Sequence, residues 1–260
     1  MSVRLVLTDS DWEAIGTVIQ QNKSKRGRPG SDDRLFVEAI LYIARTGTPW
    51  RDLPADFGPW QTVYKRFRRW EANGLWEKVW IQLQNAHLAV GEAVFIDSSY
   101  CRAHQHAAGA EKKNGGPSAQ ALGRSRGGFS TKIHLGCLDE THAISIVLTP
   151  GQTHDAKGFI EVFDGLPSGH QLSTGVMDKG YDSDTIRQQL IEHEIQPVIP
   201  PKSNRTGQID YDKEVYKQRN KVERFFGRIK QFRRIATRYD KLATTFLAFI
   251  HLVAAYVSIA

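Results

Sequence analysis

Cysteine is scarce in this chain of 260 residues, which contains only Cys101 and Cys137. Two cysteines at this separation match neither a metal-binding spacing nor the disulfide framework of a small secreted domain, so we expect both to be reduced thiols. The first residues also lack the charged, apolar and cleavage-site regions of a secretory signal. Together these absences favour a cytoplasmic protein.

Charged residues are missing from one stretch near the end of the chain, residues 242–260. The stretch is about long enough to span a membrane, so a transmembrane helix has to be considered. However, Thr244, Thr245, His251 and Ser258 interrupt its apolar character. We therefore expect a buried core helix that packs on a sheet.

Positive charge exceeds negative charge by seven, and the excess is unevenly distributed. Residues 202–260 contain thirteen Lys and Arg against five Asp and Glu, and residues 1–85 contain thirteen against ten. Residues 86–201 have the opposite balance, nine against thirteen. Because basic surfaces attract polyanions, this distribution predicts a nucleic-acid partner held beside an acidic centre.

Residues 1–88 are predicted to form a small all-α domain. All six tryptophans lie within these residues, which supports a separate core. The third predicted helix, residues 60–70, alternates aromatic residues with cations and so resembles the third helix of a helix-turn-helix-like DNA-binding module. The alternative is a helical bundle with a solvated basic face. We favour DNA binding, and the cations expected to contact DNA are Lys65, Arg66, Arg68 and Arg69.

Predicted strands and helices alternate over residues 89–260, which indicates an α/β domain. The run AVFIDSS predicts a buried strand that ends at Asp97, and LSTGVMDKGY predicts another that ends at Asp178. Residues 103–128 are rich in Gly, Ala and Ser, so we expect a mobile basic loop there. In that loop Arg124 and Arg126 would suit a phosphate backbone.

The stretch Tyr216–Lys230 is predicted to be one amphipathic helix, because its apolar residues recur at steps of four and three. Tyr216, Glu223 and Lys230 are seven residues apart and would share one stripe of that helix. Arg219 precedes Glu223 by four residues, and in isolation this spacing is equally well explained by an ordinary surface ion pair.

Three acidic residues in this domain could form a metal site. Ligand sites in open α/β sheets gather at the carboxyl ends of strands, where Asp97 and Asp178 are predicted to lie. Magnesium prefers carboxylate oxygens, and a pair of such ions can promote phosphodiester cleavage. Singly, each Asp is better explained as a turn or cap residue. Together with Glu223 on a basic helix, they predict a metal site beside a polyanion.

Several motifs resemble those of bacterial insertion-sequence transposases of the DDE type, in the family-5 group. They are FIDSS at Asp97, MDKGYDS at Asp178 and the Y-x2-R-x3-E-x6-K spacing that ends at Lys230. The stretches GTPWRDLP and TVYKRFRRW in the first part of the chain are similar too. The resemblance implies an RNase H-like mixed-sheet catalytic domain over residues 89–260.

The resemblance also implies a chemistry and a substrate. Asp97, Asp178 and Glu223 would be the metal-binding catalytic triad, with Mg2+ (or Mn2+) as cofactor. The substrate would be double-stranded DNA, both the terminal inverted repeats and the target, bound by a homodimer in the bacterial nucleoid. Water would cut the element end, and the freed 3′-hydroxyl would attack the target. Tyr216, Arg219 and Lys230 would hold phosphates.

Two other functions stay open at this stage: a non-catalytic DNA-binding regulator derived from a transposase, and a nuclease that does not join strands. Only 45 positions separate Asp178 from Glu223, too few for the large insertion domain that some relatives carry there. The remaining candidate cluster, histidines without regular spacing, is not expected to bind zinc. Its members are His104, His106, His134 and His154.

Overall fold

The computed structural model describes residues 5–23, 32–85, 93–110, 119–125, 127–167, 172–207 and 209–260. The helices, numbered along the chain, are α1 (Asp9–Asn22), α2 (Asp33–Thr46), α3 (Trp60–Ala72), α4 (Leu75–Asn85), α5 (Asp155–Asp164), α6 (Asp184–Glu192), α7 (Lys213–Lys217), α8 (Asn220–Lys230), α9 (Arg233–Ala236) and α10 (Ala243–Val257). The strands are β1 (Ala93–Ala103), β2 (Gly123–Ser125), β3 (Gly128–Cys137), β4 (Ala143–Pro150), β5 (Thr174–Met177), β6 (Gln196–Val198) and β7 (Thr237–Arg238).

The chain divides into two compact units. The helical unit comprises residues 1–86, 103–120 and 228–260, and the sheet unit comprises residues 87–102 and 121–227. The N-terminal helical region and the mixed sheet of an α/β fold, both predicted from sequence, are confirmed. The functional boundary expected at residue 88 stays a prediction. The compact units differ from it because two later segments of the chain join the helical unit.

The core of the helical unit is aromatic. The ring of Phe67 stacks on Phe249 of α10 at 4.7 Å between centroids, and Phe36 meets Trp70 edge to face at 4.8 Å. Aromatic pairs of this kind add to the free energy gained by burying their large apolar surface. Trp70, Trp76 and Trp80 are buried in this core and Trp50 packs against it, whereas Trp12 and Trp60 are half-buried.

Helix α10 is buried along nearly its whole length, as expected for a core helix. Its main packing partners are α2, α3 and α4 of the helical unit, and the expected packing on the sheet stays a prediction. His251 of α10 stacks on Trp80 at 4.7 Å, and burial lowers the pKa of His251 to about 3. Among the described residues, no helix combines the length and apolar character that crossing a membrane requires.

The central strand of the sheet unit is β1. It pairs antiparallel with β3 and parallel with β5; β3 in turn pairs antiparallel with β4, and β5 parallel with β6. Val94 and Ile96 point into a core formed with α5 and α6. Consecutive strand residues face opposite sides, so Phe95 points the other way, where Lys221 of α8 lies 5.0 Å from its ring.

Two details of the predicted strands were wrong. Strand β1 does not end at Asp97, because Ser98 to Arg102 continue the ladder and pair with residues 130–134 of β3. Residues 103–128 are not one loop either, since they contain β2 and the buried side chain of Leu122. Both features result from pairing with β3, so they cannot be predicted from the local composition of these residues.

The histidines that were not expected to bind zinc have local roles in the fold. His104 and His154 accept hydrogen bonds from backbone amides where short helical segments begin. His134 is buried beside Thr149, its Nε2 lying 2.8 Å from the hydroxyl, and burial lowers the pKa of His134 to about 4. Cys101 and Cys137 are both buried, and their state as reduced thiols stays a prediction.

Candidate active site

Asp97 and Asp178 lie side by side on neighbouring parallel strands. The register pairs Ile96 of β1 with Met177 of β5, so the next residues along the two strands are the two aspartates. Adjacent strands in a sheet are roughly 4.8 Å apart, which brings the two side chains close together. Asp178 also accepts a hydrogen bond of 2.7 Å from the backbone amide of Gly180, which fixes its carboxylate at the start of the following turn.

Arg219 connects the third acid to this pair. Its Nη1 donates to Oδ2 of Asp97 at 2.8 Å, and its Nη2 donates to Oε1 of Glu223. The same guanidinium also feels the negative charge of Asp178. One cation therefore sits among all three predicted catalytic acids, which come from β1, β5 and α8.

The helix that carries Arg219 was predicted wrongly as continuous. Helix α7 ends at Lys217 and α8 begins at Asn220, with Arg219 between them. In this gap Arg219 N donates to the carbonyl of Tyr216, three residues back, and Lys221 N donates likewise to Gln218. Three-residue turns of this kind are tighter than an α-helix. Tyr216 therefore lies on a separate short helix, before the one that carries Glu223 and Lys230.

Burial and neighbouring charges shift the pKa values of Asp97 and Arg219 in the site. Burial raises the pKa of Asp97; the backbone amide of Ser98 and the Arg219 guanidinium oppose this rise, and Asp178 adds to it. Burial disfavours the charged form of Arg219, but Asp97 and Glu223 outweigh that effect and raise its pKa above the usual value. The site therefore stabilises a cation between acids.

The donor set has the chemistry of a magnesium site, because carboxylate oxygens are the ligands that Mg2+ takes. In the part of the chain that the structure describes, however, no group of three or more His, Cys, Asp or Glu side chains is arranged to hold a metal ion. Arg219 lies between the carboxylates of Asp97 and Glu223. A metal would have to take the place of the guanidinium.

A second polar cluster lies beside the acids and was not found from sequence. The Ser98 hydroxyl bonds to Oδ1 of Asp155, which also accepts from Lys132 Nζ at 3.0 Å. Lys132 donates to the carbonyl of Thr153 at 2.7 Å as well. The available signal was Lys132, a charged residue at a buried position of a strand.

The four cations of α3 are not equivalent. Lys65 and Arg69 are exposed, whereas Arg66 is 8% exposed and forms an ion pair with Asp33. Arg68 bonds to Glu71 at 2.6 Å and to the hydroxyl of Thr245. Arg66 is therefore part of the core of the helical unit. Lys65 and Arg69 are the exposed candidates for DNA contact on this helix.

The other predicted DNA contacts are placed separately. Arg124 of β2 is exposed and lies 4.7 Å over the ring of Phe129, whereas Arg126 lies outside the described residues. Tyr216 is half-buried against Tyr211, and burial raises its pKa. Lys230 is the last residue of α8 and is half-buried.

Comparison with known proteins identifies the family. A family model described as "Transposase DDE domain" matches residues 89–258, about two thirds of the chain. The chain belongs to the DDE transposase family. A second model, "Putative transposase of IS4/5 family (DUF4096)", matches residues 7–80 of this transposase. The resemblance to insertion-sequence transposases that was seen in the motifs is thereby confirmed.

Two relatives illustrate the similarity. This transposase is 44% identical to the uncharacterized protein y4sN of Sinorhizobium fredii over 111 residues, which are 42% of this chain and 86% of that protein. It is 30% identical to a "Putative transposase for insertion sequence element IS6501" of Brucella ovis over 133 residues, which are 50% of this chain and 98% of the relative.

A solved structure of similar fold is the piggyBac transposase in its synaptic complex with hairpin DNA. The likeness covers 96% of this chain and 70% of that one, with a TM-score of 0.51 and 9% sequence identity. At that identity the similarity concerns the fold alone. With the family match and the strand order around β1, it confirms the expected RNase H-like fold.

Proposed function

We propose that this transposase binds the ends of its insertion sequence and cuts and joins DNA there, with Mg2+ (or Mn2+) held by Asp97, Asp178 and Glu223. The observation that carries the proposal is the convergence on Arg219. One guanidinium contacts Asp97 and Glu223, and Asp97 adjoins Asp178 in the sheet. Three carboxylates from distant parts of the sequence thus surround one cation, which is the arrangement that a shared metal site needs.

Each residue of the site would have its own role in the reaction. Asp97, Asp178 and Glu223 would hold the metal ions, which would supply a lowered pKa for a nucleophilic water and stabilisation for the negative charge on the phosphate. Arg219 neutralises two of the acids in the chain as described, and it would pair with a DNA phosphate once a metal has taken its place. Asp178 is held by the amide of Gly180, so it would need little rearrangement to act as a ligand.

The DNA would be held by cations on both units. Lys65, Arg69 and Arg124 are exposed and can reach phosphates without breaking an ion pair of the core. Tyr216 and Lys230 are the further candidates. Contacts of this kind position the duplex and carry little sequence information, so recognition of the terminal repeats is assigned to residues 1–88. Because two ends must meet during transposition, we expect a homodimer on DNA.

The test uses a supercoiled plasmid that carries the DNA flanking the coding region, incubated with the full chain and Mg2+. We expect nicking and joined product with the wild-type chain. Asp97→Asn, Asp178→Asn and Glu223→Gln should each abolish both reactions, because a neutral amide is a poor Mg2+ ligand, and should leave binding to the ends unchanged.

The matched control is Glu214→Gln, since Glu214 is an exposed acid on α7 whose partner is Lys217. This variant should cut like the wild type. Cutting at the wild-type rate by any of the three triad variants would remove that residue from the site. Binding by the wild-type chain without any nicking would show a regulator, and nicking without joining would show a nuclease.

A further inference from the structure

A cavity of about 860 Å³ opens within the helical unit, and its lining does not include the three acids. Its walls include the aromatic side chains of Trp50, Trp60, Tyr64 and Tyr239, and this opening is called the aromatic cavity below. The volume lies within the range of roughly 300 to 1,000 Å³ that is usual for small-ligand sites. The proposed function assigns it no role.

Side chains of the core pack against the aromatic wall of the cavity and hold it in position. Trp50 packs against Phe67 at 5.4 Å and Phe249 at 6.0 Å, both in the core of the helical unit. Tyr64 meets Trp50 edge to face at 5.0 Å and is 37% exposed, so part of its ring faces the opening. A wall of fixed and partly exposed rings is suited to stacking against a flat ligand.

The charge of the cavity favours an anionic ligand. Arg234, in its floor, is buried and bonded to Asp240 at 2.8 Å, and Arg68 is held by Glu71. Arg51 and Lys241, by contrast, are exposed, as is the acid Asp52, so exposed cations outnumber exposed acids in the lining. The Arg51 guanidinium lies 5.8 Å from the ring of Trp60. A cation beside an exposed aromatic face can bind a phosphate while the ring stacks on the attached base.

We propose that the aromatic cavity binds one unstacked nucleotide of the DNA on which this transposase acts. The base would stack on Trp60 and Tyr64, and its phosphate would lie against Arg51 and Lys241. Stacking of bases on aromatic side chains combined with a basic rim is the general chemistry by which proteins hold unpaired DNA without reading its sequence. This inference rests on the proposed function, because it supposes that DNA is the bound polymer.

The test compares the affinity of the full chain for two DNAs in the absence of divalent metal, measured by fluorescence anisotropy. One is a short blunt duplex, and the other is the same duplex with unpaired thymidines and a 2-aminopurine at one end. We expect the unpaired end to bind about ten-fold more tightly, as one stacked base provides. The 2-aminopurine fluorescence should be quenched on binding.

Trp60→Ala should reduce this preference to less than two-fold and abolish the quenching, while the affinity for blunt duplex is retained. Arg51→Gln alters an exposed residue that the fold does not need, and it should weaken the preference by a few-fold. The matched control is Trp12→Ala, which removes an aromatic residue of the same unit outside the cavity, and it should keep the preference.

Equal affinity of the wild-type chain for the two DNAs would overturn the proposal. So would a preference that survives in Trp60→Ala, or a loss of affinity for both DNAs to the same extent in that variant. These outcomes are separate from the proposed function, whose failure shows as absent cleavage in Mg2+ while this binding preference is measured without it.

Discussion

Arg219 and Asp97 are 122 positions apart in the sequence and in direct contact in the fold. A buried carboxylate without a partner is costly, and here burial already raises the pKa of Asp97. The guanidinium of Arg219 offsets part of that cost. The residue that the motif marks as a phosphate contact thus has a second role in the free chain, as the cation of the site.

Arg219→Gln tests this double role. Without the guanidinium, nothing competes with a metal for Asp97 and Glu223, so Mn2+ binding to the DNA-free chain should be retained or become several-fold tighter. DNA cleavage should nonetheless fall by about ten-fold or more, because a charged contact to a phosphate is lost. Titration of free Mn2+ by electron paramagnetic resonance measures the first effect, and the plasmid assay measures the second.

Arg224→Gln is the control for this titration, since Arg224 is exposed on α8 and should leave Mn2+ binding unchanged. Loss of Mn2+ binding in Arg219→Gln would contradict the account. The pH dependence has a fixed sign as well. Protonated Asp97 cannot bind a cation, so Mn2+ affinity of the wild-type chain should fall as the pH is lowered through the raised pKa of Asp97.

At the scale of elements, the cations of α3 have two different roles, one in the core and one at the surface. Its cations fall on different faces, and only the exposed ones are available to DNA. Arg66 instead lies 4.2 Å over Phe36 and pairs with Asp33, which Lys23 also contacts at 2.6 Å. Composition alone treats all four cations as equivalent, because the partner Asp33 is thirty-three residues away.

Arg66→Gln should destabilise the chain by about 1 to 3 kcal/mol, because it leaves the half-buried Asp33 with Lys23 as its remaining cation. Lys65→Gln, on the same helix, should not change the unfolding free energy. It should instead lower the salt dependence of DNA binding by roughly one ion. Urea unfolding and binding titrations across salt concentrations separate the two effects. Equal stability of both variants would show that the ion pair contributes nothing.

Two glycines in helices of the sheet unit should respond to alanine with opposite signs. A Cβ at Gly158 of α5 would come within 2.3 Å of the His134 ring, which is fixed by its contact with Thr149. Gly158→Ala should therefore cost about 1 to 3 kcal/mol through overpacking. A Cβ at Gly227 of α8 would meet open space, so Gly227→Ala should stabilise by up to about 1 kcal/mol. Thermal unfolding of both variants checks the signs.

Local signals in the sequence predict most elements, and long-range pairing decides the exceptions. Helix α3 begins at Trp60 as its amphipathic pattern predicts, and β5 ends just before Asp178. By contrast, the extension of β1 past Asp97 depends on β3, and the break between α7 and α8 depends on turns that place Arg219 against Asp97. In both cases the interacting partner, β3 or Asp97, is distant in the sequence, so local patterns do not predict the feature.

At the scale of the molecule, the sequence predicts the three acids of the site but not how they meet. The motifs and their order mark Asp97, Asp178 and Glu223, and charge counts predict a polyanionic partner. The register that places Asp97 beside Asp178, the bridging by Arg219 and the cluster of Ser98 with Asp155 follow from the folded sheet. The same holds for the aromatic cavity, whose walls come from segments nearly 200 residues apart.

The central claim is that the three carboxylates share metal ions once Arg219 has withdrawn. The most direct measurement is anomalous diffraction from crystals of the full chain grown with Mn2+ and a DNA end. The account predicts manganese peaks bonded to oxygens of Asp97, Asp178 and Glu223, with the Arg219 guanidinium on a phosphate. Manganese bound elsewhere, or a guanidinium that still bridges Asp97 and Glu223 beside bound DNA, would contradict it.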